Sequence, residues 1–425
     1  MGIVIRDALA IVPAGETDKV EKHTIYIEGE EIVSLDQKPE NFRTDTEING
    51  KDRLVIPGLI NGHTHTYMSM MRNYADDYPF ADWLAKVNHV EDNGMTNEDA
   101  YWSSLLGQIE MIRSGTTAFN DQQMNIHMTT RAVEESGMRA SICRGLVGDA
   151  YDKNDRRLLE ALEEMEDGRD CDRLTFFLGP HAPYTCGPEN LKMCVDVAKE
   201  KNIGIHIHLA ESLFETGYVR DKYNCTPIEY AEKNGVFTVP CVAAHCVQVN
   251  EKDIRILAEN HVSVVTNPAS NMKLGNGFAP VPEMMEAGVN VALGTDGAAS
   301  NNSQNMFREM SHLALIHKGT HKSPQCVSAE ETFRAATVNG ARALGINSGV
   351  IAAGKKADLA ILDLNAPSLM PNNNLIAALC YSAQGSEVET VLINGQIVMK
   401  DRELLTIDQE RVYFEIRRMV ERLGL

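Results

Sequence analysis

Two histidines stand two residues apart in Gly62-His63-Thr64-His65. Side chains alternate along an extended segment, so His63 and His65 leave the same face and can grip one metal ion. A lone His-x-His occurs by chance in many chains. Here His208, in HIHLAE, and Asp296, in LGTDG, supply two more groups of ligand type. Three imidazoles and one carboxylate form a nitrogen-rich shell that suits zinc and also accepts iron, with an open position for water. His206 lies two residues before His208 and shares its face, so it is a second candidate ligand. Its place one layer deeper reads as a packed core histidine, and Glu211, close behind His208, favours His208. The segment LTFFLGPH has no lysine that could be carbamylated to bridge two metals, so a single ion is expected. A rival zinc pattern fails: His89-Val90-Glu91 and Pro240-Cys241 would need a second cysteine three residues on, and the next is Cys246.

Such distant residues act together only if the fold gathers them. Eight apolar segments are strand candidates: LVIPGLIN, TTAFND, RASICRGL, LTFFLGPH, GIHIHLAE, CVAAHCV, VSVVTNP and VNVALGTD. Helical stretches separate them, among them NEDAYWSSLLGQIEMIRSG, PENLKMCVDVAKEKN and NEKDIRILAEN. Continuous apolar strands alternating with helices predict an α/β chain with a (β/α)8, TIM-type parallel barrel. An open doubly wound sheet would call for a glycine-rich phosphate loop after the first strand, and no G-x-G-x-x-G occurs there. The reactive types fall at the C-terminal ends of these strands. His63 and His65 end the first, His181 the fourth, His208 and Glu211 the fifth, His245 the sixth and Asp296 the eighth. In a barrel these ends meet at one mouth, where active sites lie.

The two termini read differently. HTIYIEGEEIVSL alternates around a Glu28-Gly29 turn, KADLAILDL is a short strand, and ETVLINGQIVM is a hairpin around Asn394-Gly395, a pair suited to a type I′ turn. They predict a small β-sandwich built from residues 1–56 and 355–425, with the barrel over 57–354 and an amphipathic closing helix in DQERVYFEIRRMVERL.

Composition narrows the partners. The formal net charge of -20 disfavours nucleic acid and acidic membrane surfaces. No apolar run approaches the length of a membrane span, and MGIVIRDALAIVPAG lacks the pattern of a signal peptide, so a cytoplasmic protein is expected. Nine cysteines, an odd number without a Cys-x-x-Cys pair, fit reduced side chains rather than a disulfide framework. Homo-oligomerisation stays open. Trp83 reads equally as packing and as the wall of a base pocket, and the methionines of MSMM at 68–71 read as packing.

Taken together, PGLINGHTH, HIHLAE, AAHC, NPASNMKLGNG and LGTDGAASNN resemble the amidohydrolase superfamily, and within it the 5-methylthioadenosine/S-adenosylhomocysteine deaminases. The likeness covers nearly the whole chain. It implies a small-molecule nucleoside substrate, one Zn2+ per chain (Fe2+ also fits the shell), and hydrolytic loss of ammonia from an adenosine-type base. It implies His63, His65, His208 and Asp296 as ligands, Glu211 as proton donor and His245 as the residue that orients the attacking water. Asp296 would also take the water's proton. Glu91 corresponds to a carboxylate that holds ribose hydroxyls, and His181 and Arg144 to further substrate contacts. Arg157 corresponds to a second arginine, but the stretch after Arg144 is one residue longer here, and adjacent Arg156 competes for that place. Alternatives within the same chemistry are a guanine deaminase or a triazine hydrolase. A non-enzymatic barrel scaffold is the alternative of another class, and it would not need this full set of polar groups.

Overall fold

The computed structural model describes residues 1–15 and 17–425. Eight parallel strands follow one another round a barrel: β1 (Leu59–Thr64), β2 (Thr116–Gln123), β3 (Arg139–Leu146), β4 (Leu174–Pro180), β5 (Gly204–Leu209), β6 (Cys241–His245), β7 (Ser263–Thr266) and β8 (Asn290–Leu293). The barrel is filled rather than hollow. Ile60, Ala118, Cys143, Phe177, Val242, Val265 and Ala292 pack as one cluster, closed by Ala341 and Leu344 of the helix Val338–Leu344. Every strand but β5 contributes to that cluster, and β5 brings His206 against Phe177 and Cys143 instead. The ring closes between β8 and β1, where the Asp296 N–H donates to the His63 carbonyl at 2.9 Å.

The expected helices are present as Asn97–Arg113, Pro188–Lys201 and Glu251–Glu259. Thr96 starts the first of them: its hydroxyl accepts the Asp99 N–H, and the Asp99 carboxylate takes the Thr96 N–H in return. One expectation needs correcting. LVIPGLIN is two strands, because Arg53–Pro57 pairs with Leu359–Asp363 outside the barrel and β1 begins only at Leu59. Pro57 has no N–H with which to extend a ladder. Gly58 passes so close to Thr117 that a Cβ would lie 2.1 Å from its hydroxyl oxygen, so only glycine makes the crossing.

Strands from both ends of the chain form one mixed sheet of nine. The sheet curls back on itself. Its edge strand Glu31–Leu35 reaches the segment before Leu359–Asp363, with the Ile32 N–H on the Lys355 carbonyl and the Ala357 N–H on the Glu30 carbonyl, both at 2.8 Å. Ile3, Ile5, Ile25, Ile27, Val55, Leu359 and Ile361 pack inside the curl as a second core. Asn394 and Gly395 both have positive φ, 53° and 70°, as a type I′ turn requires. The closing helix Gln409–Leu423 lies along Asn97–Arg113. Among the described residues no helix is long and apolar enough to cross a membrane.

Barrel and sheet are joined through a buried ion pair. The Arg139 guanidinium at the start of β3 donates to Asp358 at 2.9 Å and to the Asn394 side-chain oxygen at 2.8 Å, while Asp358 also accepts the Asn394 N–H at 2.7 Å. The two charged side chains are 7% and 1% exposed. Removing one partner strands the other charge in a low dielectric. Asp358→Ala should therefore lower stability by about 3–5 kcal/mol, read as a fall in the urea midpoint; an unchanged midpoint would mean that the pair does not hold the two units together.

Candidate functional site

The strand ends that form the barrel mouth carry unusual backbone. Ala210 after β5, His245 and Cys246 at the end of β6, and Asp296 after β8 all have positive φ, between 48° and 73°. None is glycine, so each is held in a sparsely populated conformation by its surroundings, as residues at functional sites often are. The bends turn the side chains of His245 and Asp296 inward.

Around the barrel axis the donor atoms of His63, His65 and His208 lie within 4.8 Å of one another, and so do those of His63, His245 and Asp296. Asp296 Oδ1 is 3.3 Å from Nε2 of both His63 and His65. The far side of each ring is occupied. His65 Nδ1 faces the Gln122 carbonyl at 2.8 Å, and His208 Nδ1 faces the His181 carbonyl at 2.9 Å. A carbonyl can only accept, so each Nδ1 carries a proton and each Nε2 points to the centre, where a metal ion would take its lone pair. His63 Nδ1 meets His206 Nε2 at 2.9 Å, and His63 Nε2 is buried without any hydrogen-bond partner. That orphaned nitrogen, beside a carboxylate and two further imidazole nitrogens, fits a divalent metal ion. His206 sits behind His63, and His208 stands in the cluster.

Electrostatics agree with that donor set. Burial pushes His63 down to about 3 and His208 well below the ordinary imidazole value, so both are neutral and able to ligate. Burial alone would raise Asp296, but its contacts with His63 and His65 hold it well below the usual carboxylate range. For His65 burial works downward, and the Asp296 carboxylate outweighs it and lifts the ring to about 9. The centre is thus a place where positive charge is stable. Asp296 Oδ2 accepts from the hydroxyls of Ser270 and Ser300 at 2.6 and 2.7 Å, which leaves Oδ1 directed at the imidazoles.

Above the cluster opens a cavity of about 260 Å3. Its polar floor includes His65, His208, Glu211, His245 and Asp296, and Phe80, Trp83 and Tyr184 form part of its walls. Glu211 is buried, which raises its pKa, and its Oε1 accepts from the Asn276 side-chain N–H at 3.1 Å. His245 Nδ1 lies 2.9 Å from Asn271 Oδ1. His181 lines the cavity with Nδ1 2.9 Å from the Thr185 hydroxyl, and burial takes it down to about 4. Glu91 reaches the cavity from the helix Phe80–Asn93, accepts from the Tyr67 hydroxyl at 2.7 Å, and is raised by burial.

The arginines separate. Arg157 lines the cavity and donates to the Gly145 carbonyl at 3.2 Å. Arg156 is 91% exposed and pairs with Glu160. Arg144 does not line the cavity: its guanidinium is taken by Glu160 and Glu164, both at 2.7 Å. Those carboxylates sit on the helix Arg156–Asp167, so Arg144 braces the helix that carries Arg157. Trp83 lines the cavity and is fixed by its indole N–H on the Ala299 carbonyl at 3.1 Å. Of the methionine run, Met68 reaches the cavity, while Met70 and Met71 pack in a core cluster. His89 is exposed, and Cys241 and Cys246 are buried, so the rival zinc pattern has no shared place.

Tyr67, Tyr184, Asn271 and Asn276 escaped sequence reasoning. Asparagines and tyrosines are common loop and wall residues; a contact with His245, Glu211 or Glu91 marks out Asn271, Asn276 and Tyr67, and the edge-on packing of its ring on His181 marks out Tyr184. Asn271 and Asn276 do fall within the segment NPASNMKLGNG, which was the one signal available.

The family model described as "Amidohydrolase family" matches residues 54–398. A 5-methylthioadenosine/S-adenosylhomocysteine deaminase from Caldanaerobacter subterraneus subsp. tengcongensis is 46% identical over 414 residues, 96% of each chain. The solved structure of an adenosine deaminase from Xanthomonas campestris with bound zinc is 30% identical, with a TM-score of 0.94 over 99% of this chain and 98% of that one. An atrazine chlorohydrolase from Arthrobacter aurescens, 24% identical with a TM-score of 0.91 over 98% and 100% of the two chains, shares the fold.

Metal binding should be measurable as stability. A cation at about 1,000 times its Kd adds about 4.1 kcal/mol to a protein that binds it only when folded. Added zinc should raise the unfolding temperature of the chelator-treated parent and leave that of Asp296→Ala unmoved. An equal rise in both would put the cation elsewhere.

Proposed function

The chain belongs to the amidohydrolase family, and on that premise we propose that it removes ammonia hydrolytically from adenosine-type nucleosides carrying a 5′ substituent, such as 5′-methylthioadenosine or S-adenosylhomocysteine. The observation that carries the reading is a buried carboxyl, Glu211, opening on the same cavity as the histidine–aspartate cluster, with a second carboxyl, Glu91, on the helix Phe80–Asn93. Support for the substrate comes from the deaminase relative at 46% identity.

We assign one Zn2+ per chain to His63, His65, His208 and Asp296; three imidazoles and a single carboxylate suit zinc, and the zinc-bound adenosine deaminase of the same fold points the same way. A divalent cation there supplies Lewis acidity, which makes water a competent nucleophile near neutral pH. The remaining work falls to side chains. His245 orients the attacking water toward C6 of the purine, and Asp296 accepts its proton. Burial raises the Glu211 carboxyl and so favours its protonated form, whose proton passes to N1 so that the ring does not accumulate negative charge as water adds. The proton that Asp296 took from the water then passes to the departing amine, a leaving group that needs a proton where chloride does not. That need favours deamination over dechlorination.

Glu91 accepts two vicinal ribose hydroxyls. Tyr67 fixes one carboxylate oxygen, and its other oxygen remains for the sugar. Arg157 meets a polar 5′ substituent, and His181 and the aromatic walls bound the rest. We assign catalysis to residues 57–354 and the supporting sheet and closing helix to 1–56 and 355–425. The nine unpaired cysteines suit a reducing compartment, and we place the protein in the cytoplasm.

Three measurements test this. Ammonia release across adenine, adenosine and 5′-substituted adenosines should favour the nucleosides; preference for the free base, for guanine or for a triazine would overturn the substrate assignment. Glu211→Gln should retain its metal and lose about 10²–10⁴-fold in kcat, and near-parental turnover would remove Glu211 from the chemistry. Glu91→Gln should lower kcat/KM for nucleosides by about ten- to a hundredfold without changing the rate on adenine.

A further inference from the structure

Ten residues after β7 connect two groups of the site. In the segment Asn267–Asn276, Asn271 meets His245 and Asn276 meets Glu211. Asn276 is buried, and its approach to Glu211 is elaborately supported. Gly275 and Gly277 flank it with φ of 69° and 105°, conformations that favour glycine, and they turn the residue between them inward. The Asn276 N–H donates to the Asn271 carbonyl at 2.9 Å, and the Asn276 carbonyl accepts the Gln248 side-chain N–H at 2.6 Å. The side chain therefore reaches Glu211 from a backbone fixed on both sides.

The main chain beneath Glu211 is equally constrained. Glu215, fully buried, takes the N–H groups of Ala210 and Glu211 on its two oxygens at 2.8 and 2.9 Å. The Ala210 carbonyl accepts the N–H groups of Val247 and Gln248 at 2.9 and 2.8 Å. With the backbone held, the freedom left to Glu211 is rotation of its own side chain. That is the motion the Asn276 contact stops.

We propose that Asn276 is a positioning residue for Glu211: its amide N–H anchors Oε1, so that the transferable proton resides on Oε2 and is presented to the base. The reasoning is chemical. An amide N–H can donate only to an oxygen that offers a lone pair, and a protonated carboxyl keeps one such oxygen in its carbonyl. Asn276 therefore fits both states of Glu211 across a turnover, before and after the proton leaves, without a change of partner. The contact does not create the acid, which burial does; it fixes the oxygen from which the acid acts. This inference rests on the proton-donor role given to Glu211 above.

The test uses the zinc-loaded full chain with 5′-methylthioadenosine. Asn276→Ala removes the donor, and Asn276→Asp keeps the size but replaces the donor with an acceptor. Both should lower kcat by about ten- to a hundredfold, with KM within about threefold, the metal content of the parent and an unchanged unfolding temperature. Combined with Glu211→Gln, Asn276→Ala should cost little further, because the group it positions no longer carries a proton. Three results overturn the proposal: parental kcat in both variants, a fall in kcat matched by lost metal or stability, or an undiminished further loss in the double variant. Substantial turnover by Glu211→Gln alone would instead overturn the proton-donor role, which separates failure of that premise from failure of this inference.

Discussion

Asp296 sits where the two demands of this molecule coincide. Its N–H closes the barrel on the His63 carbonyl, and its carboxylate faces the imidazoles that meet inside that closure. A buried carboxylate without partners would be protonated; here the rings of His63 and His65 keep it charged, and Ser270 and Ser300 hold its outer oxygen. The charge makes a cation welcome beside His63 and His208, which burial has driven to neutrality.

Orientation radiates outward from that centre. Carbonyls of Gln122 and His181 set the tautomers of His65 and His208, and His206 backs His63. His206 occupies a place that the other seven strands fill with apolar or sulfur side chains, so the polar site is rooted in the barrel core. Strained backbone at Ala210, His245 and Asp296 persists because these bonds over-determine it. The segments above the strands add what rigid strands cannot, namely contacts with an occupant of variable shape: Glu91 and Trp83 from the helix Phe80–Asn93, and Arg157 from the helix that Arg144 braces.

Among the described residues, none of the terminal sheet lines the cavity. Its attachment by Arg139, Asp358 and Asn394 lies at the N-terminal end of β3, away from the mouth. In a parallel barrel the two ends are thereby divided between stability and chemistry, with reactive residues at the C-terminal ends.

Several features were legible in the sequence alone. Apolar runs of strand length separated by amphipathic helices specify a barrel through local periodicity, and the reactive residue types at the ends of those runs specify one mouth. His63 and His65 share a face by covalent geometry, and Asn394-Gly395 turns as its φ preferences require. The tertiary structure decided what depends on distances between remote segments. It separated LVIPGLIN into strands of two different sheets, because a crossing allowed only by Gly58 depends on the position of Thr117. It put Arg157 at the cavity and Arg144 on two carboxylates, although both arginines read alike along the chain. It gave Asn276 and Tyr67 their partners, since a hydrogen bond has no periodicity and leaves no trace in a sequence until the fold brings donor and acceptor together.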